Sequence, residues 1–201
     1  MRNAEFDREY VLSSAMNEFI AKGYNKTSMQ DLKRVTGLHP GSIYCAFENK
    51  RGLLLAALDH YATTKSQSFE QFFDDPKQIV SGFERYLLDI IDSRECDNGN
   101  GCLLQRSLSE LDQQDEEVEQ IICNMLDQWK CNIQSKLELA KANNEIDSGT
   151  DCELLSDFLV MNIYGLRSIA STKPSEARLI ELVNQIMLSL KSSCVDEKVI
   201  G

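Results

Sequence analysis

Little in this chain bends or breaks a helix. Its 201 residues include only 3 Pro and 10 Gly, and the period-2 alternation that marks a half-buried strand is nearly absent. That scarcity argues against a sheet-built fold and for an all-α one. No uninterrupted apolar run approaches the roughly 20 residues of a membrane span. The opening decapeptide, MRNAEFDREY, holds no apolar stretch of the kind a secretory signal carries. Histidine is limited to His39 and His60, so a His-rich metal set or a nucleophile–His pair has almost nothing to draw on. There is no Gly-rich phosphate loop and no G-x-S-x-G turn. Together these gaps point away from an enzyme, a metal site or a cofactor. The seven Cys form an odd set without close paired spacing, unlike a disulfide framework or a zinc site. They fit the reduced thiols of a cytoplasm.

Basic charge is also in short supply, with a net charge of −11, whereas a nucleic-acid binder is expected to be basic. Its distribution changes the reading. Residues 1–55 carry 8 Lys/Arg against 6 Asp/Glu, while the remainder carries 13 against 26. From Lys22 to Arg51 there are six basic residues and two acidic ones. A local basic surface on an acidic chain leaves binding to geometry and to salt-sensitive phosphate contacts.

That basic stretch contains TSMQDLKRVTGLHPGSIYCAFENK, residues 27–50. Thr27-Ser28 is a doubled N-cap signal, and Gln30 completes a capping box with Thr27. Met29, Leu32 and Val35 recur at helical spacing. Gly37 ends that helix and Pro40 opens the next. Ile43, Tyr44 and Phe47 make the second helix amphipathic. Two short helices joined by a Gly-containing turn read as a helix-turn-helix. Before them, residues 6–22 predict a helix capped by Asp7, with Phe6, Tyr10, Val11, Ala15, Phe19 and Ile20 for its core face.

The spacing T-S-M-x-D-L-x-x-x-T-G-L-x-x-G-S-I-Y-x-x-F-x-N-K resembles the DNA-binding domain of the TetR family of bacterial repressors, over about residues 7–58. The resemblance implies an N-terminal three-helix helix-turn-helix domain (1–52, with a linker helix over 50–73). It also implies a helical ligand-binding and dimerisation domain (53–201), giving about nine helices. It implies a homodimer, paired through its last two helices, on a pseudo-palindromic double-stranded DNA operator. By the same resemblance Tyr44 and Lys50 match phosphate-contacting positions. Thr27 can cap its helix and donate to a phosphate, Ser28 and Ser42 offer short polar groups, and Gly41 lets the backbone approach DNA. His39 reads a base edge or shapes the turn beside Pro40. Pro40 stands where many members carry a long polar residue, and Cys45 where an aromatic or His is common, so the operator sequence does not carry over.

Further helices are expected over 76–94, 102–114, 115–146, 151–172 and 175–194, the last two split by Lys173-Pro174. Met125, Trp129, Phe158, Met161 and Tyr164 lie on helices that surround the pocket in this family. They are candidate contacts for a small apolar or aromatic effector, beside the plainer reading that they are core. Cys102 follows the NGNG stretch and opens a helix, which lowers a thiol's pKa, and Cys96 is near enough in sequence to act as a resolving thiol. Glu95 and Asp97 oppose thiolate formation, so both a redox-sensing pair and simple packing stand open. Cys45, Cys123, Cys131 and Cys152 read as inert packing. The rival reading is a helical protein-interaction module with a non-functional DNA-binding unit.

Overall fold

Eight α-helices and no strand are present among the residues described by the computed structural model, which are 6–92, 104, 107 and 115–192. In chain order they are α1 (Arg8–Lys22), α2 (Met29–Thr36), α3 (Pro40–Phe47), α4 (Lys50–Glu70), α5 (Ile79–Asp92), α6 (Glu116–Ala142), α7 (Cys152–Ala170) and α8 (Glu176–Ser192). A 3-10 turn, Gln71–Phe73, continues α4. The helix expected over 102–114 lies outside the described residues apart from Leu104 and Ser107, which are helical and buried. No described helix is long and apolar enough to cross a membrane.

The chain divides into two compact units, Met1–Gln67 with Asn100–Leu126 and Ser68–Gly99 with Asp127–Gly201. In the first, Val11, Leu12, Ala15 and Phe19 of α1 are buried, as are Leu32, Ile43, Phe47, Leu53, Leu54 and Leu58. Asp7 caps α1 as expected, accepting from the Tyr10 N–H at 3.0 Å. Tyr10 itself departs from its expected core position. It is 58% exposed, and Leu12 takes the inward place, because the buried face begins at Val11, one residue and about 100° further round.

The capping box of α2 is shifted by one residue from Thr27–Gln30. Ser28 accepts from the Asp31 N–H, and the Asp31 carboxylate accepts from the Ser28 N–H at 2.9 Å. Thr27 cannot serve because it is buried and its hydroxyl donates to the Gly23 carbonyl at 2.7 Å. Gly37 ends α2 at φ 71°, a left-handed conformation that glycine adopts without strain. Pro40 occupies the first position of α3, where a missing N–H is harmless.

The second unit is built around an aromatic cluster. Phe69 and Phe73 stand 4.7 Å apart, and Tyr86 and Phe83 of α5 pack edge-on against them at 5.0 Å each. Ile133 and Leu137 of α6, Leu159 and Ile163 of α7, and Val183 and Leu190 of α8 complete that core. α6 ends at Ala142, short of the expected 146, and Asn144 follows at φ 59°. Asp151 caps α7 through the Glu153 and Leu154 N–H groups, and Lys173-Pro174 separates α7 from α8.

Candidate nucleic-acid interface

The helix-turn-helix leaves several of its expected DNA contacts open to solvent. Tyr44 is 50% exposed, Cys45, His39, Gly41 and Ser28 are exposed, and Ser42 and Pro40 are half-buried. His39 caps α3 with its ring, Nδ1 accepting from the Gly41 N–H at 3.3 Å, so it shapes the turn. Thr27 is the exception among the expected contacts. Its single hydroxyl proton goes to Gly23, in a position 1% exposed, so it stabilises the loop rather than facing outward.

Past α3 the chain turns sharply into α4. Glu48 takes φ 67°, and Asn49 caps α4 by accepting from the Gly52 N–H at 2.9 Å. Lys50 then lies with Nζ 4.2 Å above the Tyr24 ring, a cation–π contact that steers the ammonium. Burial, and next the nearby Asp115 carboxylate, push the Tyr24 phenol up from its ordinary value. Tyr24 also packs on Phe19, with ring centroids 5.9 Å apart.

Not every cation in the basic stretch points outward. Lys22 pairs with Asp31 at 2.5 Å and Glu18 at 2.9 Å, and Arg34 pairs with Glu18 at 3.0 Å. These bonds clasp α1 to α2. Such pairs join residues that only the fold brings together, Lys22 to Asp31 and Arg34 to Glu18.

Four of the five candidate effector contacts, Trp129, Phe158, Met161 and Tyr164, lie in the second compact unit. Trp129 and Tyr164 meet edge-on at 5.6 Å between α6 and α7. Met125 belongs to the other compact unit. Phe158 and Met161 line an open groove of about 380 Å³ along α7 and α8, with Gly165, Ile169, Leu182 and Ile186. Met161 is 62% exposed there, so its helical phase puts it on an outer face rather than in an internal pocket. Cys96 and Cys102 lie outside the described residues. Two of the cysteines expected to be packing, Cys45 and Cys131, are instead exposed. Cys152 is buried, and burial followed by the Glu138 carboxylate raises its thiol above the usual value. Among the described residues no group of three or more His, Cys, Asp or Glu could hold a metal ion.

Residues 11–57 match the family described as bacterial regulatory proteins, tetR family, and residues 82–184, over half of the chain, match the tetracyclin repressor-like C-terminal domain. The chain belongs to the tetR family of bacterial regulatory proteins. It is a helix-turn-helix transcriptional regulator. Among its relatives is the HTH-type transcriptional repressor ComR of Escherichia coli, 28% identical over 88% of this chain and 85% of ComR. Another is the HTH-type transcriptional regulator YezE of Bacillus subtilis, 26% identical over 89% of this chain and 93% of YezE. The fold is also that of a cysteine mutant of the TetR family regulator CifR, solved with a 26-bp operator DNA. TM-score is 0.80 at 23% identity, covering 94% of this chain and all of that one. FadR of Bacillus subtilis, solved with stearoyl-CoA, aligns at TM-score 0.68 and 20% identity over 93% and 99% of the two chains.

Proposed function

We propose that this tetR-family protein represses transcription by binding a pseudo-palindromic operator as a homodimer, and that a small apolar or aromatic effector releases it. The observation that carries the reading is the α3–α4 corner. Tyr44 is exposed on α3, and Lys50 is held over Tyr24 at the start of α4, one helix apart on the unit that matches the tetR DNA-binding family. Phosphate contacts of this kind fix register and orientation, and side chains such as exposed His39 and half-buried Ser42 supply base readout. Residues 1–52 with the linker helix serve DNA, and 53–201 serve effector and dimer. A protein that acts on operator DNA works in the cytoplasm. ComR is named a repressor, and CifR was solved on operator DNA, which supports carrying that activity here.

The test is sedimentation together with gel shift on the DNA upstream of the protein's own gene, at low and high salt. A dimer with salt-sensitive binding is expected, and a monomer that shifts no DNA at low salt would overturn the proposal. Effector binding reports through Trp129, whose indole touches Tyr164. For release, the effector must favour the arrangement of half-sites that does not bind. Fluorescence indifferent to every compound that relieves repression places the effector elsewhere. The thiol-responsive reading of Cys102 and Cys96 rests on sequence. Oxidant-driven DNA release that survives both Cys102→Ser and Cys96→Ser would remove it.

A further inference from the structure

Arg51 stands one residue past Lys50, in the first turn of α4, and by position it belongs to the same row of cations. Its guanidinium is nonetheless occupied. Nε donates to Asp115 Oδ2 at 2.5 Å, and Nη2 donates to Asp115 Oδ1 at 3.0 Å and to Glu117 Oε2 at 2.7 Å. Asp115 does two jobs at once, since Oδ1 also accepts from the Val118 N–H at 3.1 Å and so caps α6. A forked guanidinium on a carboxylate is the strongest arrangement an arginine makes, and it fixes direction as well as distance. The Asp115 carboxyl is held below its ordinary range, first by that bond to Arg51. The Arg51 side chain is 34% exposed and that of Asp115 26%, so solvent screens the pair only in part.

A cation whose charge is already met by two carboxylates displaces few counterions when DNA arrives, so it adds little to the salt dependence of binding. It does hold the turn on which Lys50 rides. Lys50 and Arg51 are consecutive in one helix, and a helical turn moves as a unit. The turn is tight on its other side as well, where Asn49 caps Gly52 at 2.9 Å.

We propose that Arg51 is a positioning residue and not a phosphate contact: braced on Asp115, it fixes the first turn of α4 and with it the reach of Lys50 toward DNA. This rests on the DNA-binding reading above. The experiment measures operator affinity against salt for the full-length wild type, Arg51→Ala, Asp115→Ala, the double variant and Lys50→Ala. Arg51→Ala and Asp115→Ala each weaken binding by roughly three- to tenfold with the salt slope unchanged, and the double variant is no worse than either single one, as expected for two halves of one contact. Asp115→Asn removes the charge but keeps the cap acceptor, and it replaces Asp115→Ala under the same criteria if thermal melts show that variant unfolded. A slope reduced by about 1 in Arg51→Ala, or additive losses in the double variant, overturns the brace. Wild type that binds no operator at any salt overturns the DNA-binding reading, and the brace with it. Wild type that binds while Arg51→Ala loses slope overturns the brace alone.

Discussion

Gly52 runs so close beneath Phe47 that a Cβ built on it would stand 2.0 Å from the Phe47 carbonyl oxygen. The obstruction is backbone, which has no flexible end to swing aside. In a solvent-facing helix Gly→Ala stabilises by about 1 kcal/mol. Here the sign reverses, and Gly52→Ala is expected to destabilise by about 1–3 kcal/mol as the α3–α4 corner opens. Urea unfolding checks it, and an unchanged or raised midpoint would refute the close approach.

Glu145 reaches from the loop after α6 to the start of α5. Its two oxygens accept from the Ile79 and Val80 N–H groups at 3.1 and 2.9 Å. A carboxylate on the first N–H groups of a helix also meets the positive end of the helix dipole. Glu145→Ala leaves two buried residues' amides without that acceptor and is expected to lower stability by about 1–2 kcal/mol. Glu145→Gln, retaining one acceptor, falls between them in the same unfolding assay.

Lys50 carries its ammonium over the Tyr24 ring. Its replacement by Ala is expected to weaken binding to all DNA sequences about equally and to reduce the salt slope by about 1. Titrations of operator and unrelated DNA across a salt series decide it. A selective loss on operator alone would make Lys50 a reader of bases.

The outer face of α7 and α8 carries Leu154, Met161, Ile169 and Leu188, which are 66%, 62%, 42% and 56% exposed. Apolar residues gathered along two neighbouring helices mark an interaction surface. Met161→Glu with Leu188→Lys is expected to leave helix content intact and convert the dimer to monomer by sedimentation. Half-site pairing needs two subunits, so operator affinity falls at the same time. A dimer that survives both changes would move the interface elsewhere.

The Asp31 carboxylate accepts from Lys22 and from both the hydroxyl and the N–H of Ser28, and these bonds, with Lys22 first, hold its pKa well below the usual carboxylate range. Folded protein therefore binds this proton less readily than the unfolded chain, whose Asp titrates near about 4. The stability it contributes is complete above that value and is lost as pH falls through the folded one. The gap in thermal midpoint between wild type and Asp31→Ala is expected to be constant from neutral pH to about 5 and to close in stronger acid. A gap that persists unchanged below pH of about 2 would exclude the carboxylate charge as its origin.

Helix ends were legible in the sequence because they are settled by chemistry within a few residues. Asp7, Gly37, Pro40 and Lys173-Pro174 each start or stop a helix where their own local chemistry puts them. The helix-turn-helix was legible for the same reason, whereas Tyr44 and Lys50 became candidates only through the family resemblance. What tertiary packing decided was every choice between near-equivalent neighbours. Ser28 caps α2 rather than Thr27 because Thr27 is buried against Gly23, and Tyr10 faces outward because the core begins at Val11. The periodicity of α7 marked Phe158, Met161 and Tyr164 as apolar, but a stripe does not say which neighbour covers it. Tyr164 met Trp129, while Met161 was left on the open groove. The partners of Arg51, Ile79 and Val80 lie 64 to 66 residues along the chain. A charge count could register these groups, but only the folded chain brings Asp115 and Glu145 within bonding distance of them.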